Sequence, residues 1–184
     1  MTFRILGIAG SLRRASFNRG LLAAAAEEAP DGVELEIVPL DDLPPYNADF
    51  EGERSPSPVV ALREHIAAAD ALLIATPEYN TSVPGVLKNA VDWASRPFPN
   101  SSLRGKPVAI MGAGGRFGTV RAQGELRSIL TALGCYVLPW PQIPVISARE
   151  RFDEDGNLTD DDVRNGVRML VEQLVSWAGR VRPD

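Results

Sequence analysis

The chain of 184 residues holds one cysteine and one histidine. An internal disulfide is therefore impossible, and a zinc site or a Ser-His-Asp triad has almost nothing to be built from. Long apolar runs are missing as well. None approaches the roughly 20 residues a spanning helix needs, and the opening Met-Thr-Phe-Arg lacks the basic start and apolar core of a signal peptide. Excess positive charge is missing too: 19 Lys and Arg face 24 Asp and Glu, a formal net charge of −5. That balance argues against nucleic acid or an anionic membrane as the main partner. The expectation from these absences is a cytoplasmic protein without a metal site.

What is present is ordinary for one globular domain spanning residues 1–184, with 45% hydrophobic and 23% charged residues. Short apolar runs alternate with helical spacing throughout. Phe3–Ala9 reads as a buried strand ending at Gly10, and a helix over 19–28 places Leu22, Ala25, Ala26 and Ala29 on one face. Val33–Val38 alternates apolar with charged residues, the pattern of a strand with one wet face. A Pro-rich loop over 39–57 leads to a helix that Ser57 and Pro58 open, with Leu62, Ile66 and Ala69 inward. Ala71–Ala75 is a wholly apolar strand, and Pro84 opens a helix whose Leu87, Ala90, Val91 and Ala94 share a side. A fourth strand over 108–111, a helix over 119–133 closed by Gly134 and a fifth strand over 136–138 follow. Thr159 with Asp162 resembles a capping box for the last helix, where Val163, Val167, Leu170, Val171 and Leu174 face inward. Cys135, in an apolar stretch, reads as a buried packing thiol, and His65 as a solvated helix residue.

Five strands alternating with five helices predict a parallel sheet covered on both faces. A closed barrel needs eight such units, so the open doubly wound sheet fits the count. A strand with a charged face belongs at an edge, where the order 2-1-3-4-5 puts strand two. The expected fold class is α/β, a flavodoxin-like three-layer sandwich. In such sheets ligands sit outside the carboxyl ends of the strands, beside the reversal of strand order.

Three turns lie there. Gly10-Ser11-Leu12-Arg13-Arg14-Ala15-Ser16-Phe17-Asn18 follows a buried strand and opens a helix whose first N–H groups favour an anion. Ser11, Ser16 and Asn18 can donate hydrogen bonds and Arg13 a charge-assisted pair, a cradle suited to a phosphate monoester. A simple N-cap with solvated arginines is the alternative. The turn is neither a Walker A loop nor GxGxxG. Thr76-Pro77-Glu78-Tyr79-Asn80-Thr81-Ser82-Val83-Pro84-Gly85 is stiffened by prolines and offers Tyr79 and Asn80 to a planar ring, unless it only launches a helix. Gly112-Ala113-Gly114-Gly115-Arg116-Phe117-Gly118 lets backbone approach a ligand closely.

Gly-Ser-Leu-Arg-x-x-Ser-x-Asn, then Pro-Glu-Tyr-Asn-x-Ser-x-Pro-Gly-x-Leu-Lys-Asn-Ala-x-Asp-Trp, then Gly-Lys-Pro-Val with a Gly-rich turn resembles the NAD(P)H-dependent FMN reductase family. That family includes bacterial quinone, chromate and azo-dye reductases, and the likeness spans roughly residues 3 to 140. It implies that Ser11, Arg13, Ser16, Phe17 and Asn18 hold the FMN phosphate. Pro77, Glu78, Tyr79 and Asn80 would line the isoalloxazine, with Gly112, Ala113, Gly114 and Gly115 on its other side. It implies NADPH or NADH as donor and a small acceptor such as a quinone, free flavin, chromate or azo compound. It also implies a homodimer formed partly by the Leu87–Trp93 helix, or a tetramer of two dimers joined through the 121–125 stretch. Trp93 would otherwise be an exposed aromatic on a surface helix, and Tyr46 would wall the site across the interface.

Flavin chemistry needs no protein nucleophile, so no catalytic side chain is expected. The rival is a flavodoxin-type electron carrier without NAD(P)H reductase activity. Arginines at 13, 14, 19 and 116 suit a phosphorylated dinucleotide better than a carrier's acidic surface. A hydrolase is a distant third, for want of a Gly-x-Ser-x-Gly elbow.

Overall fold

A computed structural model describes residues 2–181. The strands are β1 (Phe3–Ala9), β2 (Val33–Val38), β3 (Ala71–Ala75), β4 (Pro107–Ala113), β5 (Tyr136–Val137) and β6 (Ile143–Val145). The helices are α1 (Phe17–Glu27), α2 (Ser57–Ala68), α3 (Gly85–Ala94), α4 (Val120–Ala132) and α5 (Asp161–Val181). The sheet is parallel with order β2-β1-β3-β4-β5, and β6 also pairs with β4. This is the expected flavodoxin-like order.

The sequence pattern explains the layers. β3 and β4 are buried at every position, as strands covered on both faces must be. Leu21, Leu22 and Ala25 of α1 and Val167, Leu170 and Leu174 of α5 fill the core on one face. Leu62 and Ile66 of α2, Leu87 and Val91 of α3, and Leu126 and Leu130 of α4 fill it on the other. β2, at the edge, keeps Glu34 and Glu36 exposed while Val33 and Leu35 pack against the core. Cys135 is buried, its Sγ donating to the Leu103 carbonyl at 3.3 Å, and burial pushes the thiol up to about 12. His65 lies at the surface with Nδ1 3.2 Å from Glu36. Among the described residues no helix is long and apolar enough to cross a membrane.

Three expectations need correction. The fifth strand does not run over 136–138. β5 stops at Val137 after pairing with the start of β4, the chain bulges over 138–142, and β6 resumes pairing from Met111 to Ala113. Pro139 and Pro141 cannot donate to a ladder, which forces the break; Pro144 is tolerated because β6 lies at an edge. Arg127 Nη1 holds the bulge through the Leu138 carbonyl at 2.7 Å. The cap of α5 is Asp160, not Thr159: Asp160 Oδ1 accepts from Val163 N at 2.9 Å. Thr159 instead donates its hydroxyl to the Arg151 carbonyl at 3.1 Å.

Trp93, third, needs no second chain to cover it: it is fully buried within this one. The 39–57 loop folds over α3, and Pro44 O accepts from Trp93 Nε1 at 2.8 Å and Asn89 Nδ2 at 3.0 Å. Tyr46 packs edge-on against Trp93 with ring centroids 4.9 Å apart.

Candidate active site

The carboxyl ends of β1, β3, β4 and β6 surround a cleft of about 520 Å³, inside the roughly 300–1,000 Å³ of small-molecule sites. The turn after β1 supplies Ser11, Arg13, Ser16, Phe17 and Asn18. Ser16 caps α1, its Oγ accepting from Arg19 N at 3.4 Å. Ser11 Oγ accepts from Arg13 N at 3.4 Å. Each hydroxyl thus accepts locally through its oxygen and still has an O–H to donate. Phe17 and Asn18, at the first two helical positions, have no carbonyl one turn back for their amides. The positive end of α1 adds to this donor set. The Arg13 guanidinium lies 4.8 Å from the centre of the Phe17 ring.

Asn18 has a second task. Its Nδ2 donates to Ala113 O at 3.0 Å and its Oδ1 accepts from Ala113 N at 2.9 Å. The side chain, 3% exposed, completes the end of β4 as another strand would. It fastens the first turn to the third.

The turn after β3 contributes Pro77, Glu78 and Tyr79. Asn80 and Thr81 have φ of 51° and 67° and form the tip of a tight hairpin closed by Tyr79 and Ser82. Asn80 is not among the residues that line the cleft. Glu78 points away from water: its Oε2 accepts from Arg121 N at 2.9 Å and Ala122 N at 3.1 Å, with Arg121 Nη1 3.7 Å from Oε1. It caps α4 from another loop, a favourable place for a carboxylate. Glu125 reciprocates, its Oε2 accepting from Ser82 Oγ at 2.7 Å and Val83 N at 3.2 Å. Two acids thus fix the second turn against α4, and Arg121 and Glu125 both have partners within the chain.

The glycines of the third turn do different work. A Cβ at Gly112 would lie 2.2 Å from Thr76 O, and one at Gly114 2.3 Å from Gly118 O. Both serve close backbone packing, and Gly112 lies behind the cleft wall. A Cβ at Gly115 would meet nothing, so only there does the missing side chain leave room for a ligand. Ala113, Gly114, Gly115 and Arg116 line the cleft.

A fourth wall, residues 147–150, was not foreseen from the sequence. Ser147 N donates to Gly115 O at 3.0 Å and Ala148 N to Gly114 O at 2.9 Å. Its signal was the apolar Ile143–Val145 run ending in Ser-Ala-Arg at the same sheet edge, hidden by its brevity and its proline. The wall brings Arg149 and Glu150. With Glu78 committed to α4, Arg13, Arg116 and Arg149 outnumber Glu150, so the cleft is locally positive in an acidic chain. Tyr46 is elsewhere, its hydroxyl between Glu51 and Arg96 beside α3.

An open parallel sheet with this order and an anion cradle after its first strand defines a flavodoxin-like protein. The profile of the NADPH-dependent FMN reductase family matches residues 3–150. The chain is 46% identical over 180 residues to an NAD(P)H-dependent FMN reductase of Pseudomonas aeruginosa, covering 97% of each chain. It is 40% identical to a 2-hydroxy-1,4-benzoquinone reductase of a Burkholderia species, covering 96% of this chain and 97% of the other. The solved structure of FerB, an NAD(P)H:(acceptor) oxidoreductase of Paracoccus denitrificans, superposes with a TM-score of 0.86 at 32% identity, over 98% and 99% of the two chains. The chain belongs to the NADPH-dependent FMN reductase family. It is an oxidoreductase, and the electron-carrier reading gives way.

Proposed function

We propose that the cleft binds FMN and that the protein uses it to pass electrons from NAD(P)H to a small acceptor of the quinone class. The observation that carries this is the convergence of uncommitted phosphate donors with a slot between 77–79 and 113–116. Ser11, Arg13, Ser16, Phe17 and Asn18 would hold the phosphate. Pro77, Glu78 and Tyr79 would border one side of the ring and Ala113, Gly114 and Gly115 the other, with Asn80 and Gly112 shaping those walls from outside. Bound FMN supplies the hydride acceptance and donation itself. The chain's part is to bind, orient and keep one face open, which is why no nucleophile or acid–base pair is needed. Arg116 and Arg149 come from other turns of the cleft than the phosphate cradle and suit the phosphates of the dinucleotide donor.

We propose a homodimer through the face beside α3. Pro44, Pro45, Tyr46, Phe50 and Pro56 line an apolar groove there, and Phe50 is 49% exposed. The locale consistent with one unpaired, buried cysteine is the cytoplasm.

The test is a titration of flavin-stripped protein with FMN, followed by initial rates with NADPH and benzoquinone. Saturable uptake and parallel double-reciprocal lines are expected, because donor and acceptor share one open face in turn. Absence of FMN uptake overturns the assignment.

A further inference from the structure

Directly after the fourth wall, residues 151–159 form a small hairpin bridged at Phe152 and Leu158. Asp153 N donates to Asn157 O at 3.0 Å and Gly156 N to Asp153 O at 3.1 Å. The Asp153 carboxylate accepts from Asn157 N at 2.8 Å and Nδ2 at 2.9 Å. At its base, Thr159 N donates to Arg151 O at 2.9 Å, and Arg151 pairs with Asp160. A hairpin braced in this way is a stiff object.

Its tip rests on the entry to α1. Gly156 has φ of +89°, and a Cβ there would lie 2.9 Å from the Ala15 carbonyl carbon. On the other side a Cβ at Gly20 would lie 1.9 Å from Gly156 O. Both contacts are backbone on backbone, so neither can yield as a flexible side chain would. Ala15 and Gly20 bracket Ser16 to Arg19, the segment that presents the Ser16 hydroxyl and the free first-turn amides. Phe152 extends the support, its ring centroid 4.9 Å from that of Phe17, over which the Arg13 guanidinium sits.

We propose that this hairpin is part of the phosphate site, with Gly156 a positioning residue that sets the first turn of α1 and Phe152 one that seats Phe17 under Arg13. The hairpin lies beyond residues 3–150, the stretch that the family profile matches. The inference rests on the FMN reading above, and it concerns the phosphate alone: the hairpin contacts it is argued from fall on residues 15–20.

The experiment compares dissociation constants for FMN and riboflavin, by flavin fluorescence quenching, in flavin-stripped wild type, Gly156→Ala and Phe152→Leu. Wild type is expected to prefer FMN. Gly156→Ala is expected to weaken FMN about tenfold or more, the equivalent of one charge-assisted hydrogen bond to an anion, with riboflavin affinity unchanged. Phe152→Leu keeps an apolar side chain and covers the case in which Gly156→Ala does not fold; it shifts the FMN-to-riboflavin ratio in the same direction. An unchanged ratio in a folded variant overturns the proposal, and so does an equal loss of both flavins, which marks a merely structural role. Wild type that binds neither flavin instead overturns the FMN reading itself.

Discussion

Replacing Asn18 by Asp changes one amide nitrogen to oxygen and leaves the side chain's shape intact. The bond from Ala113 N to Oδ1, 2.9 Å, survives. The bond from Nδ2 to Ala113 O, 3.0 Å, becomes two oxygens facing each other. At 3% exposure, water cannot readily replace it. Losing the bond removes about 1 kcal/mol, and the unpaired buried carbonyl adds about 1–3 kcal/mol. Opposing this, a carboxylate at the second position of α1 gains about 0.3–1 kcal/mol from the helix dipole. The loss wins, by about 1–4 kcal/mol, or a fall of about 2–15 °C in Tm for a chain of this size. The pH dependence is diagnostic. Opposition to a carbonyl raises the folded pKa of the new acid above its unfolded value, so the folded state binds the proton more tightly. Stability relative to wild type is then lost as pH rises through that interval and regained as pH falls and the protonated acid donates to Ala113 O. Asn18→Ala, which strips both Ala113 groups of partners, should cost a similar amount at every pH. Urea unfolding of flavin-free protein at pH 8 and pH 5 separates the two. A pH 8 stability for Asn18→Asp equal to that of wild type, or a deficit that does not narrow at pH 5, refutes the bridging role.

Glu78→Gln keeps an acceptor at the start of α4 but discards the charge; it should lower stability by about 1 kcal/mol, seen as a Tm loss of about 2–4 °C. Cys135, buried and with its thiol pushed up to about 12, is protonated at pH 8 and should react with a disulfide reagent only after denaturation; rapid stoichiometric labelling of the native protein would contradict its burial. Arg149→Gln should raise KM for NADPH several-fold more than KM for NADH if the guanidinium meets the extra phosphate; equal rises in steady-state assays would remove it from that role.

Much of the architecture was legible because it is written in local patterns. The alternation in Val33–Val38 marked an edge strand, and the unbroken apolar Ala71–Ala75 marked a central one. Their difference was enough for the sheet order, and the order located the cleft. The likeness of 10–18 and 76–93 to a known family then supplied the chemistry. What escaped was what depends on partners far along the chain. Trp93 looked exposed because its cover, Pro44 and Tyr46, lies in a loop without periodicity. The task of the Glu78 carboxylate was hidden too, because the helix it caps begins only at Val120.

The sequence by itself determined the kind of sheet, its order and the turn whose serines and arginine open the first helix, because strand burial and helix starts are properties of neighbouring residues. Only the tertiary structure decided that Asn18 finishes β4, that Gly112 and Gly114 serve packing while Gly115 is open, and that 147–150 closes the cleft. Hydrogen bonds and close backbone approaches between turns separated by tens of residues exist only once the sheet has brought its strand ends together, and no spacing along the chain encodes them.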